Sequence, residues 1–277
     1  MRRPALLGGL LVGAALGAGA LTSLPAQELT YAPPQGASFR FRTTNTLTVS
    51  QRVLERENHY TLRSGGLVRL TLLSPEPRLL WRMGFDELSL RIEGAFPTPR
   101  IEALRGTVVT LATTPQGVVL DALTAGVVTP GLGARYLERA AAAFFPHLPN
   151  GGAGSSASWT DTLTLTDVLQ GVTAEVRSIV TYRATGMSAL AGRPMVPIEY
   201  RGRLTVSGAG TVQGSRIALS GTGAIEGHYL YDPAARMFAL HVQEQVLEST
   251  LTLDSPAGPP VAIPSRQVLR ARAERLY

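Results

Sequence analysis

From Ser38 onward, polar and apolar positions alternate with a period of two. Phe39, Phe41, Thr43, Asn45, Leu47, Val49, Gln51 and Val53 fall on one side, and Ser38, Arg40, Arg42, Thr44, Thr46, Thr48, Ser50 and Arg52 on the other. Successive side chains of a strand point to opposite faces, so this segment predicts one long, half-buried strand. Segments rich in Thr, Val, Leu and Ile, separated by Gly, Pro, Asn and Asp, predict further strands at 60–63, 67–73, 79–85, 88–93, 107–113 and 118–122. A second series follows at 158–166, 172–185, 196–207, 211–220, 224–231, 237–245 and 247–253. Residues 268–277 fit a strand with Leu269, Ala271 and Ala273 inward, and fit an Arg-rich helix equally well.

One stretch has helical character. Residues 132–145 carry Leu137, Ala140, Ala141, Phe144 and Phe145 on a shared face, with Pro130 and Gly131 before them and Pro146 as a stop. Residues 28–37 read as an extended lead-in, and residues 150–157 as a flexible Gly/Ser connector. The fold class expected is therefore mainly β: long antiparallel strands in a curved sheet or open barrel with one central helix at about 132–145. Strands of 10–14 residues exceed the usual five or six, which favours strong curvature, and Gly208, Gly210, Gly221, Gly223 and Gly227 offer sites for bends or bulges. The expected organisation is a single domain over 27–277, with a two-half arrangement about a hinge at 146–157 as the alternative.

The N-terminus supplies an address. Arg2 and Arg3 precede an uncharged run whose centre, 5–21, is Ala, Leu, Gly and Val, and Leu24-Pro25-Ala26 ends it with a small residue. This order reads as a secretory signal over 1–26, cleaved between Ala26 and Gln27. The apolar core is shorter than the roughly 20 residues of a membrane-spanning helix and is diluted by five glycines. Export, to the periplasm or the outside, is the expected localisation.

Composition then removes chemistries. The chain has no cysteine, which excludes disulfides, thiol nucleophiles and zinc–thiolate or iron–sulfur sites. All 26 basic residues are arginine, so Schiff bases, Ser–Lys dyads and the phosphate loop that needs lysine are excluded. The net charge is +6, but the arginines are scattered, which argues against nucleic acid as a partner. His59, His147, His228 and His241 lack helical metal spacing; His59, His228 and His241 are read as surface or satisfied residues, with a metal pair of His228 and His241 on neighbouring strands as the weaker alternative. Asp86 with Glu87, and Asp161 with Asp167, are the nearest carboxylate pairs, read as turn and solvated-face residues. Gly208-Ala-Gly210 and Gly221-Thr-Gly223 lie between β segments and not before a helix, which rejects a dinucleotide site. No catalytic residue, metal ligand or cofactor is assigned.

Tyr229-Leu-Tyr231-Asp232-Pro233-Ala-Ala-Arg236-Met237 reads as strand, turn, strand, and Gly221, Gly223 and Gly227 precede it. This run resembles the closing segment of a group of exported bacterial β proteins, over roughly 200–253. The broader outline is similar to periplasmic lipoprotein-carrier-type half-barrels, which hold acyl chains between sheet and helix. The resemblance implies a half-barrel and an apolar ligand, with no motif residue to carry over.

The expected function is an exported, non-enzymatic protein that binds a lipid or other apolar molecule on the curved sheet beneath the helix. The residues expected to line it are Phe39, Phe41, Leu47, Val49, Trp81, Met83, Phe144 and Phe145. The alternative is a structural or partner-binding module of the cell envelope, whose partner would be another envelope protein. A third reading, an outer-membrane β-barrel, meets the long strands and terminal Tyr277 but lacks aromatic girdles, with aromatics at 6%.

Overall fold

In the computed structural model, the described residues are 29–53, 56–94, 101, 104–125, 132–149, 157–169, 172–212, 214–254 and 259–277. The segment read as a secretory signal and its cleavage point at Ala26–Gln27 lie outside them, as does most of the Gly/Ser connector. Twelve strands and one helix follow in order: β1 (Ser38–Val53), β2 (Arg56–Ser74), β3 (Leu79–Glu93), β4 (Val108–Thr113), β5 (Val119–Ala125), α1 (Leu132–Ala142), β6 (Ser158–Leu169), β7 (Val172–Ala184), β8 (Ser188–Leu190), β9 (Arg193–Val212), β10 (Ser215–Asp232), β11 (Met237–Asp254) and β12 (Val261–Leu276).

Eleven strands form one antiparallel path, β5-β4-β3-β2-β1-β12-β11-β10-β9-β7-β6, and β8 adds only a short pair to β9. The sheet is curved and does not close into a barrel; β5 and β6 are its two ends. It is continuous through both halves of the chain, because β1 pairs with β12 along its length, from Arg40 opposite Leu276 to Gln51 opposite Ser265.

The strands run further than the sequence pattern marks them. The expected strands at 60–63 and 67–73 are one strand, as are 79–85 with 88–93 and 237–245 with 247–253. Residues 268–276 resolve as strand, within β12, and Tyr277 lies just past its end. Gly66, in the gap between two of the expected strands, lies inside one because the neighbouring backbone comes close. A Cβ built at Gly66 would run into the Glu87 carbonyl of β3. Beside it, the register slips between Leu67 and Val68 opposite Glu87 and Phe85, a β-bulge that takes up one extra residue. The β8–β9 hairpin had no signal in the pattern. It turns through Ala191 and Gly192, both at positive φ, as a two-residue reverse turn requires.

The helix is shorter than expected, ending at Ala142. Phe144 and Phe145 lie just past its end, because the residue before a proline is disfavoured in the α conformation and Pro146 follows. Leu137 and Ala141 are buried, whereas Ala140 remains exposed.

The segment 132–149 must carry the chain from the β5 edge to the β6 edge, and it does so across one face of the sheet. Glu138 accepts hydrogen bonds from the Thr124 backbone and hydroxyl on β5. Phe145 packs against Trp81 of β3, and Phe144 against Phe41 of β1 and Phe238 of β11. The Tyr229 hydroxyl of β10 donates to the His147 carbonyl, and His147 Nδ1 lies 3.8 Å from Asp161 of β6. Ten strand spacings would cover about 48 Å on a flat sheet. The stretch from Glu138 to His147 reaches about 30 Å at full extension. The sheet therefore curls around this strap, and the strap is the centre of the core. Tyr31, on the lead-in, closes the core from below, with its hydroxyl donating to the Pro146 carbonyl at 2.8 Å.

At the foot of the sheet, Asp232 caps the β10–β11 turn by accepting from the backbone of Ala234 and Ala235. Its other oxygen takes a hydrogen bond from buried Arg275, which also bonds the Tyr277 hydroxyl and lies over the Phe39 ring.

Candidate functional site

Alternation along each strand gives the sheet two chemically distinct faces. The face under the strap is apolar, and the outer face carries Arg, Glu and Thr. On the outer face, a groove of about 860 Å³ crosses the strands between two register rows, one of which contains Arg270, Glu244, Glu226 and Arg201. Arg270 and Glu244 are bonded at 2.8 Å within that row, and each holds the other ionised. This groove is open, charged and screened by solvent.

The cavity on the inner face is different in kind. It holds about 330 Å³ beside the C-terminal end of α1. β1 contributes Thr43, Asn45 and Leu47, and β2 contributes Leu62, Ser64 and Val68. β3 adds Met83, Phe85 and Leu88, and the strap closes one side with Ala140, Ala143 and Phe144. The other side is Leu269, Ala271 and Ala273 of β12, with His241 and Gln243 of β11. Strand pairing assembles this wall: Gln243 stands opposite Ala271, Ala271 opposite Asn45, and Asn45 opposite Ser64. Small residues at Ala271 and Ala273 leave the space that Phe144 does not fill.

The polar end of the cavity is fixed by a short network. The Tyr200 hydroxyl lies 2.8 Å from His241 Nε2 and donates to Gln243 Oε1 at 3.3 Å. With Nε2 protonated, His241 donates to the tyrosine oxygen and the chain of bonds is complete; this tautomer is assigned from the network. Tyr200 reaches β11 by lying over Gly227 of β10, where a Cβ would meet its hydroxyl oxygen at 2.6 Å. Burial, with the charge of His228 adding, pushes the His241 pKa down to about 4. Burial likewise lifts the Tyr200 phenol far above its usual value. Both groups are therefore neutral at ordinary pH.

Of the residues expected to line a ligand site, Leu47, Met83 and Phe144 border this cavity. Phe41, Trp81 and Phe145 are brought against them but are fully buried in the core, with Phe41 4.7 Å from Phe238 between ring centroids. Phe39 is half-buried beneath Arg275, and Val49 is buried further along β1. Leu62 and Leu88, which were not expected at the site, sit on strands whose alternation was readable, whereas Leu269 and Ala271 sit on a segment that fitted strand and helix equally well. Their convergence needed the pairing.

The weaker alternative of a metal pair does not form: His228 and His241 stand on opposite faces, because His228 pairs with Val242 while Tyr229 pairs with His241. Among the described residues, no group of three or more His, Asp or Glu side chains is placed to hold a metal ion. Asp86 is bonded to Arg69 at 2.8 Å on the outer face. The Asp167 side chain lies outside the described residues.

No family model and no curated protein matches the chain. Among solved structures it is similar to outer-membrane proteins of Pseudomonas. Pseudomonas aeruginosa OccK5 (OpdH) matches at 6% identity and a TM-score of 0.28, over 89% of this chain and 100% of that one. OccK9 (OpdG) of the same organism matches at 7% identity and a TM-score of 0.27, over 86% and 98%. An outer membrane channel from Pseudomonas putida F1 matches at 11% identity and a TM-score of 0.22, over 91% and 99%. At these scores the likeness carries no functional argument.

Proposed function

We propose that this is an exported, non-enzymatic protein that holds an apolar molecule on the inner face of its sheet. The observation that carries the reading is the inner cavity, apolar along three strands and bounded by a strap that crosses the sheet. Concave apolar sites with a few placed polar groups are the usual form of a small-molecule site. Export rests on the N-terminal pattern of Arg2-Arg3, the apolar run and Ala26.

A partner-binding role in the envelope is the second reading, supported by the sheet end at β6. Among the described residues this strand is paired on one side only, and Leu165 on it is exposed. A free strand edge is a template for another chain.

The test is native mass spectrometry on protein recovered from the periplasm of an expressing cell without detergent. A reproducible adduct, extractable into organic solvent, is the expected result. A bare polypeptide mass that takes up no added apolar compound would overturn the reading and leave the partner-binding one.

A further inference from the structure

The walls of the inner cavity carry hydrogen-bonding groups but no matched charge. Its polar side chains are the hydroxyls of Thr43 and Ser64, the amides of Asn45 and Gln243, and the imidazole of His241. One arginine, Arg272, borders it, but alternation along β12 puts this side chain on the outer face. There its Nε and Nη2 bond Glu274 Oε2 at 3.3 and 2.9 Å. The next inner-face cation on β12, Arg275, does not line the cavity and is matched by Asp232.

A carboxylate or phosphate placed here would lose its water with no countercharge to replace it. That cost far exceeds what a few neutral donors return. An uncharged head group, a hydroxyl or carbonyl, meets donors and acceptors it can use. Size narrows the class further. A methylene takes roughly the share of one liquid water, about 30 Å³. A space of about 330 Å³, partly open to solvent, therefore covers one chain of about ten carbons, and a second chain would lie outside it.

We propose that the inner cavity selects an uncharged, single-chain amphiphile of medium length, and discriminates against fatty acids and two-chain phospholipids. This rests on the reading that the cavity binds an apolar molecule, and it names the ligand's class.

The test is calorimetric titration of the purified protein at pH 7.5 with 1-decanol and, separately, with decanoate, both below their aggregation limits. Saturable 1:1 binding of 1-decanol, with decanoate at least tenfold weaker, is the expected result. Decanoate binding as tightly as 1-decanol would overturn the selectivity while leaving the apolar-ligand reading intact. Binding of neither compound would overturn both. Asn45→Arg places a guanidinium on the wall and should move the preference toward decanoate. A folded variant, judged by circular dichroism, that still prefers 1-decanol by the same factor would contradict the account of why charge is excluded. If that variant does not fold, the comparison on the unaltered protein still decides.

Discussion

At the residue scale, the inner face depends on groups that stay neutral. His241 would take a proton near pH 6.5 in an unfolded chain. In the fold, burial first and His228 second hold its pKa at about 4. Above pH 6.5 it is neutral in both states and has no effect on stability. As pH falls from about 6.5 to about 4, the unfolded chain gains a proton that the folded chain refuses, and stability drops by up to about 3 kcal/mol. Below pH 4 the loss levels off. Burial lowers the pKa of His147 as well, and its contribution has the same sign. Urea midpoints measured from pH 7 to pH 4 should show this decline, and His241→Asn should flatten most of it. An unchanged slope in that variant would assign the acid sensitivity elsewhere.

At the element scale, the strap holds the two ends of the sheet to one centre. Phe144 joins β1 to β11 through Phe41 and Phe238, at 5.1 and 5.4 Å between ring centroids. Phe144→Ala removes that joint and should cost about 3 kcal/mol, a fall in Tm of roughly 6–12 °C for a chain of this size. Leu123→Ala, on exposed β5, should stay within about 0.5 kcal/mol. Equal losses from the two, measured by thermal unfolding, would show that the strap bears no special weight. Much of this level was legible in the sequence. The alternation from Ser38 to Val53 reports a strand whatever its partners are, and Pro146 announces where the helix must have stopped. What could not be read was contact between distant segments. Gly66 resembles a strand break until β3 is seen lying against it. Gly227 resembles a bend until Tyr200 is found stretched over it. Leu62, Leu88 and Leu269 form one wall only once β2, β3 and β12 are placed in register, and no local pattern states that register. The strap's destination was hidden for the same reason, since Phe144 and Phe145 carry no sign of which strands they meet.

At the scale of the whole molecule, the sheet is two meanders laid back to back. Each strand from β2 to β5 pairs with the one before it, and so does each long strand from β7 to β12; the join between the sets is β1 against β12. That join links the first and last of the described strands. Loop-closure entropy and long sequence separation slow folding. A rearranged chain that starts at residue 157, runs through a flexible linker of about ten residues from Tyr277 to Leu29, and ends at residue 149 would turn all eleven paired strands into one local meander. It should refold at least tenfold faster at similar stability in stopped-flow experiments. Equal rates would show that forming the β1–β12 pair does not limit folding. For the natural order there is a consequence during synthesis. β1 emerges early, pairs with β2, and then offers its other backbone edge to any strand within reach until β12 leaves the ribosome. For that interval the chain is an unfinished sheet with a sticky seam, and only β12 closes it.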